Sequence, residues 1–148
     1  MSRELFWLTL TVAMTGLIWM PYTLNRCAKW GLWATLDNPK RDNPPHSPWA
    51  LRMMKAHENA IENLVIFAPL VLVVHELGVT NRVTAWACIV YFWARLVHVA
   101  AYTLGIPYVR TLAFSCGFFA QATLAAVIFA QVRFFLPTGL MLPPEMGP

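Results

Sequence analysis

The sequence predicts an all-α integral membrane protein: one domain over residues 1–148, folded as a bundle of four spanning helices. Three observations predict it. The chain is 58% hydrophobic and only 12% charged, with a mean hydropathy of +0.52, whereas an ordinary soluble domain carries about 25% charged residues. Four apolar stretches, over about residues 4–24, 49–77, 81–103 and 108–135, are each long enough to cross a bilayer, which takes about 20 residues. Strong turn chemistry falls between these stretches rather than inside them.

The first stretch is too long for the apolar region of a secretory signal, and no A-x-A-like cleavage site follows it, so it reads as a retained span. Gly16 offers a close-packing point, and Pro21 is expected to kink or end the helix near its inner end. Residues 25–48 read as a long polar loop carrying Arg26, Lys29, Lys40 and Arg41. Four prolines between 39 and 48 preclude a helix there. Trp30, Trp33 and Trp49 suit the membrane interface.

The second span holds Pro69, which a membrane helix tolerates when neighbours satisfy the freed carbonyl. It ends at Glu76-Leu77-Gly78, and Thr80-Asn81 caps the third span. That tight connection makes the second and third spans antiparallel neighbours. Leu104-Gly105-Ile106-Pro107 makes another tight turn into the fourth span. No internal repeat is visible. The cations cluster toward the first loop, which the positive-inside rule places in the cytoplasm with both termini opposite. Arg3, Arg82 and Arg133 lie on the termini side.

The informative stretch is the polar first half of the second span. Arg52, Lys55, Asn59 and Glu62 are spaced three, four and three apart, so they share a helix face. From Arg52 to Glu62 the helix rises about 15 Å, which carries the stripe into the bilayer. Ionisable groups there cost about 2.5–3.5 kcal/mol each and face a bundle interior or a wet cavity. Arg95, His98 and Tyr102 repeat the pattern at the end of the third span, and Arg110 opens the fourth. With antiparallel spans these residues lie at similar depth and are expected to converge on one basic cavity holding a single carboxylate. Such a site suits a polar anion that also carries an amine. Arg110 lies at a helix N-terminus, the wrong end for a cation on dipole grounds, so an anionic partner explains it better than the helix does.

Bland readings compete with these. Arg52 and Lys55 could snorkel to the interface, Glu62 could form a structural ion pair with Arg95, and His98 could be a satisfied buried histidine. Asn63 reads as interhelical glue, His57 as packing, and Cys88 and Cys116 as small hydrophobes. The pattern argues against other chemistries. Neither His57-Glu58 nor His75-Glu76 completes HExxH, so no metal is expected. There is no G-x-S-x-G and no phosphate loop. The net charge of +4 is not gathered into a nucleic-acid-binding face.

The run Arg52-x-x-Lys55-Ala56-His57-x-Asn59-x-x-Glu62 resembles the second helix of the MAPEG family, the membrane-associated proteins in eicosanoid and glutathione metabolism. Arg95-x-x-His98-x-x-Ala101-Tyr102-x-x-Gly105 resembles that family's third helix, and Pro107-x-x-Arg110-Thr111 the start of its fourth. The likeness spans roughly residues 51–129 and is nearest to the subgroup of microsomal glutathione transferase 1 and microsomal prostaglandin E synthase. It implies a homotrimer that binds glutathione as co-substrate at protomer boundaries on the cytoplasmic side. It also implies a second, lipophilic substrate or lipid arriving from the membrane lipids.

Carried over by position, Arg52, Lys55, Asn59, Glu62, Arg95, His98 and Tyr102 bind glutathione, and Arg110 is the catalytic residue that activates its thiol. The expected function is a glutathione-dependent transferase or peroxidase acting on lipophilic electrophiles or lipid hydroperoxides. The alternative is a non-catalytic lipid-binding or partner-binding subunit on the same scaffold. A small transporter of organic anions is a third reading, disfavoured by the lack of an inverted repeat. Two departures stand out. Lys55 replaces an arginine of close relatives, turning a bidentate clamp into a point charge, and Phe114 stands where relatives often have tyrosine. Arg110 is absent from some non-catalytic members, so its presence here favours an enzyme.

Overall fold

Ser2 opens the first helix in a computed structural model that describes residues 1–38 and 45–135, the side chains as far as residue 131. Its hydroxyl accepts from the Leu5 amide at 3.2 Å, satisfying one of the free donors of a helix start. From there α1 runs Arg3–Leu17 and α2 runs Trp19–Trp30, and together they make a single apolar span. The break at Ile18 has a local cause. Pro21 has no N–H to give the Leu17 carbonyl, and its ring crowds that carbonyl. The chain tightens there, with Ile18 N donating to Thr15 O at 3.3 Å. Pro21 thus coincides with an interruption of the helix at Ile18 and does not end the span.

The helix continues beyond the boundary expected near Leu24, and α3, Leu32–Leu36, follows it. Residues 25–30 are polar enough to read as loop, but their side chains fasten them to Pro45 and Ser47, just before the second span. Asn25 Nδ2 donates to Ser47 Oγ at 3.0 Å, and Lys29 Nζ donates to the Pro45 carbonyl at 3.0 Å. Of the cations assigned to this loop, Lys40 and Arg41 lie outside the described residues, as does the Arg133 side chain.

Helix α4, Pro48–Glu76, carries the polar stripe in its first half and passes unbroken through Pro69. Asn81 then caps α5, Arg82–Leu104, accepting from the Val83 and Thr84 amides at 2.7 and 3.1 Å. Gly105 ends α5 in the left-handed region, φ 79°, where a side chain is disfavoured. This turn delivers the chain directly into α6, Pro107–Phe135.

All the described elements are helical, and four spans are long and apolar enough to cross a membrane. The inner one is α5, which packs against α1, α4 and α6. Half of its apolar window is buried (50%), against 22–28% for the other three spans. One core gathers Leu8, Phe67, Val71, Tyr91 and Leu124, with the Phe67 and Tyr91 rings stacked at 3.7 Å. A second, around Ile18, Ala56, Ala60 and Val99, lies at the polar-stripe level. There the small alanines let α4 approach α5. Gly16 makes no comparable contact, since nothing approaches within 4 Å of where its Cβ would stand. Cys88 is buried as expected, whereas Cys116 is exposed.

Candidate functional site

The antiparallel pairing of α4 and α5 puts the two polar stripes side by side. Asn59 meets Arg95, and seven residues back along α4, Arg52 meets Thr103. Arg95 is the most fully buried charged residue, 1% exposed. Its Nη2 donates to Asn59 Oδ1 at 2.7 Å, while among the described residues its Nε and Nη1 have no partner. Gly117 of α6 makes room for the stem: a Cβ there would come within 3.6 Å of Arg95 Cδ. A guanidinium in this place is expensive to bury, and one amide oxygen offsets only part of that cost.

One turn further along α5, His98 is 3% exposed and its Nδ1 also lacks a partner among the described residues. The ring packs edge-on against Tyr102 at 5.7 Å and lies 6.1 Å from Phe114. Arg110 reaches back from the first turn of α6, its guanidinium 4.5 Å above the Tyr102 ring. The aromatic face holds the cation but leaves its donors free in the plane. Arg52 closes this end of the bundle. Its Nε donates to the Thr103 carbonyl at 2.9 Å and lies against Gly105.

Two residues stand apart from that row. Lys55 is exposed and pairs with Glu58 one turn on, Nζ to Oε2 at 2.8 Å. The nearer carboxylate on its own helix captures the long side chain. Glu62 is exposed too, and among the described residues it has no hydrogen-bond or ion-pair partner. The ion pair with Arg95 does not form: Glu62 stands exposed at the surface while Arg95 is buried. Glu62 instead edges a groove of about 480 Å³ between α4 and α6, with Asn59, Asn63, Phe114, Phe118 and Gln121. Asn59 joins the two parts, lining the groove while holding Arg95. Within one chain, then, Arg95, His98, Tyr102 and Arg110 follow one another along a seam, and Glu62 faces outward beside it.

Several polar residues have roles that the sequence reading did not assign. Gln121 Nε2 donates to the Asn63 carbonyl at 2.9 Å, tying α6 to α4. Asn63 therefore bridges helices through its backbone, while its side chain turns back to the Asn59 carbonyl. His57 exchanges a hydrogen bond with Tyr22 of α2 at 2.9 Å, a polar contact in addition to packing. Tyr91, four residues before Arg95 and so on the same face, buries its hydroxyl beside Gln121. That spacing could have extended the stripe by one position. At the far end of the bundle Glu4 is 3% exposed and accepts from Thr84 Oγ1 at 2.7 Å. No local sequence signal marks it.

The fold and this seam define a multi-pass membrane protein with a basic, partly buried site at one end of a four-span bundle. The MAPEG family model matches residues 4–130, and no curated protein matches the chain. The chain belongs to the MAPEG family, which includes glutathione-dependent transferases and peroxidase-type enzymes.

Proposed function

We propose that this protein is a glutathione-dependent transferase or peroxidase of the microsomal glutathione transferase 1 and prostaglandin E synthase type, acting on lipophilic electrophiles or lipid hydroperoxides. The observation that carries the proposal is Arg95, a buried guanidinium with two unpartnered nitrogens and only a neutral amide for company. A buried cation without a carboxylate is poised for an incoming one. Glutathione brings two carboxylates, an ammonium and a thiol. Arg52 and Arg95 suit the carboxylates, and Lys55 can join them by leaving its exposed pair with Glu58. The partnerless carboxylate of Glu62 suits the ammonium, with Asn59, His98 and Tyr102 lining the path between. Arg110, held over Tyr102, is placed to favour a thiolate electrostatically, and it has no proton to exchange at neutral pH. The apolar partner substrate enters from the bilayer.

The groove beside Glu62 is open in a single chain, which supports assembly as a trimer with the site shared between protomers. The charge asymmetry supports an orientation with the first loop in the cytoplasm. Cross-linking or native mass measurement that finds only monomers would sink the shared site.

The central test is a glutathione titration of detergent-purified protein, followed by a thiolate absorbance scan against pH and turnover with an aryl halide and cumene hydroperoxide. Arg110→Ala should bind glutathione with modest loss, raise the bound thiol's pKa and lower turnover by about 10²–10³, the usual effect of losing one preorganised donor. Arg110→Lys should recover part. An active wild type whose Arg110→Ala variant keeps both thiol pKa and rate refutes this role. Binding without thiolate or turnover in the wild type identifies a non-catalytic subunit instead.

A further inference from the structure

The opposite end of the bundle carries a second cationic feature unrelated to the seam. Arg3 at the start of α1 and Arg82 at the start of α5 are both exposed. They line one cleft of about 310 Å³ together with Ala85, Trp86 and Ile89. The nearest acid, Glu4, is buried and bound to Thr84. Among the described residues neither arginine has an ion-pair partner. Below the cleft the face between α5 and α6 stays open. Trp86, Val90 and Cys116 line both of its adjoining apolar grooves, of about 610 and 540 Å³, making one continuous channel that reaches Val97 of α5 and Val109 of α6.

The polarity matches one kind of occupant. From Arg82 to Val97 the helix rises about 22 Å, more than half of a bilayer's roughly 30 Å hydrocarbon core. A groove that begins at two arginines and runs on apolar past the midplane has the polarity of one lipid entering from that leaflet, headgroup at the arginines and chain inward. We infer that this face holds an anionic phospholipid of the bilayer, its phosphate and acidic headgroup on Arg3 and Arg82 and one acyl chain along the α5–α6 groove. Zwitterionic lipids fill the groove less well because their ammonium opposes the arginines. The site is distinct from the glutathione seam and does not depend on it.

The test is native mass spectrometry of the full chain with equimolar phosphatidylglycerol and phosphatidylcholine of matched acyl chains. Wild type should retain phosphatidylglycerol in about tenfold preference, on the order expected when one or two cations engage an anionic headgroup. Arg3→Gln with Arg82→Gln should abolish the preference, while Lys29→Gln at the other end leaves it intact. Val90→Trp, which fills the groove at an exposed position, should reduce retention of both lipids. Equal retention by wild type overturns the proposal, as does a preference that survives the double variant or that Lys29→Gln also removes. Efficient oxidative cross-linking of Cys116 between protomers also overturns it, since the face would then be covered by a second copy.

Discussion

Arg95 and Asn59 share one hydrogen bond, yet removing one or the other should have opposite effects on stability. Asn59→Ala leaves the guanidinium buried with no protein acceptor among the described residues. Losing a hydrogen bond to a charged group costs about 1.5–3 kcal/mol. Arg95→Met keeps the stem against Gly117 and removes the buried charge. Exchanging buried ions for apolar side chains is often neutral or stabilising by about 1–4 kcal/mol. At roughly 2–4 °C per kcal/mol for a chain of this size, Asn59→Ala should melt roughly 5–10 °C low in detergent, and Arg95→Met at or above wild type. The assay is tryptophan fluorescence on heating, with and without glutathione. Saturating ligand at about 100 times its Kd adds about 2.7 kcal/mol. Wild type should therefore shift upward, Asn59→Ala should regain part of its loss, and Arg95→Met should not respond. If Arg95→Met melts well below wild type and still responds to glutathione, Arg95 is structural and the reasoning from its orphaned nitrogens fails.

Other expectations are narrower. Glu62→Gln should weaken glutathione far more than an analogue lacking the amino group, as measured by titration; equal losses would make Glu62 structural. Gly105→Ala places a side chain at φ 79° with its Cβ 3.4 Å from Arg52 Nε. It should cost about 1–2 kcal/mol of stability and weaken glutathione by displacing Arg52, so a neutral effect on both would separate this turn from the site. His46, outside the spans, packs against Trp30 with the rings tilted and their centroids 5.1 Å apart, and its pKa is lowered from 6.5 by burial and then by Arg26 and Lys29. The folded connection therefore resists protonation, and its stability is full above pH 6.5 and falls as pH drops below it. Hydrogen exchange around Ser47, corrected for intrinsic rate, should rise on acidification in wild type but not in His46→Gln.

The span pattern was legible because a bilayer leaves few options: long apolar runs must be helices, and Pro48, Asn81, Gly105 and Pro107 mark where they start and stop. The spacing of Arg52, Asn59, Arg95 and Tyr102 likewise put those residues on facing stripes. Local sequence could not supply what depends on side-chain reach. Residues 25–30 look like loop until Asn25 and Lys29 find Ser47 and Pro45. Lys55 sits in register with the site, yet its length lets it take Glu58. Glu4 and Thr84 are 80 residues apart and meet only because α1 and α5 pack together.

The placement of the charges bears on how such a site can bind and release a polar thiol inside a membrane protein. Arg95 is already dehydrated, so most of the cost of burying the cation is met on folding and not on binding, and a carboxylate reaching it gains a strong interaction at once. Glu62, by contrast, remains exposed on a groove and can engage an ammonium with little rearrangement. With a buried cation on Asn59 and an accessible acid on the groove that Asn59 also lines, the proposed glutathione would lie in one direction: carboxylate inward along α5, ammonium outward toward α6. Arg110, displaced along the bundle and held on Tyr102 by its ring face, is left with its donors available. On the proposed function, anchoring and activation would fall to different cations, so that a thiol ligand held by Arg95 would not neutralise the charge of Arg110.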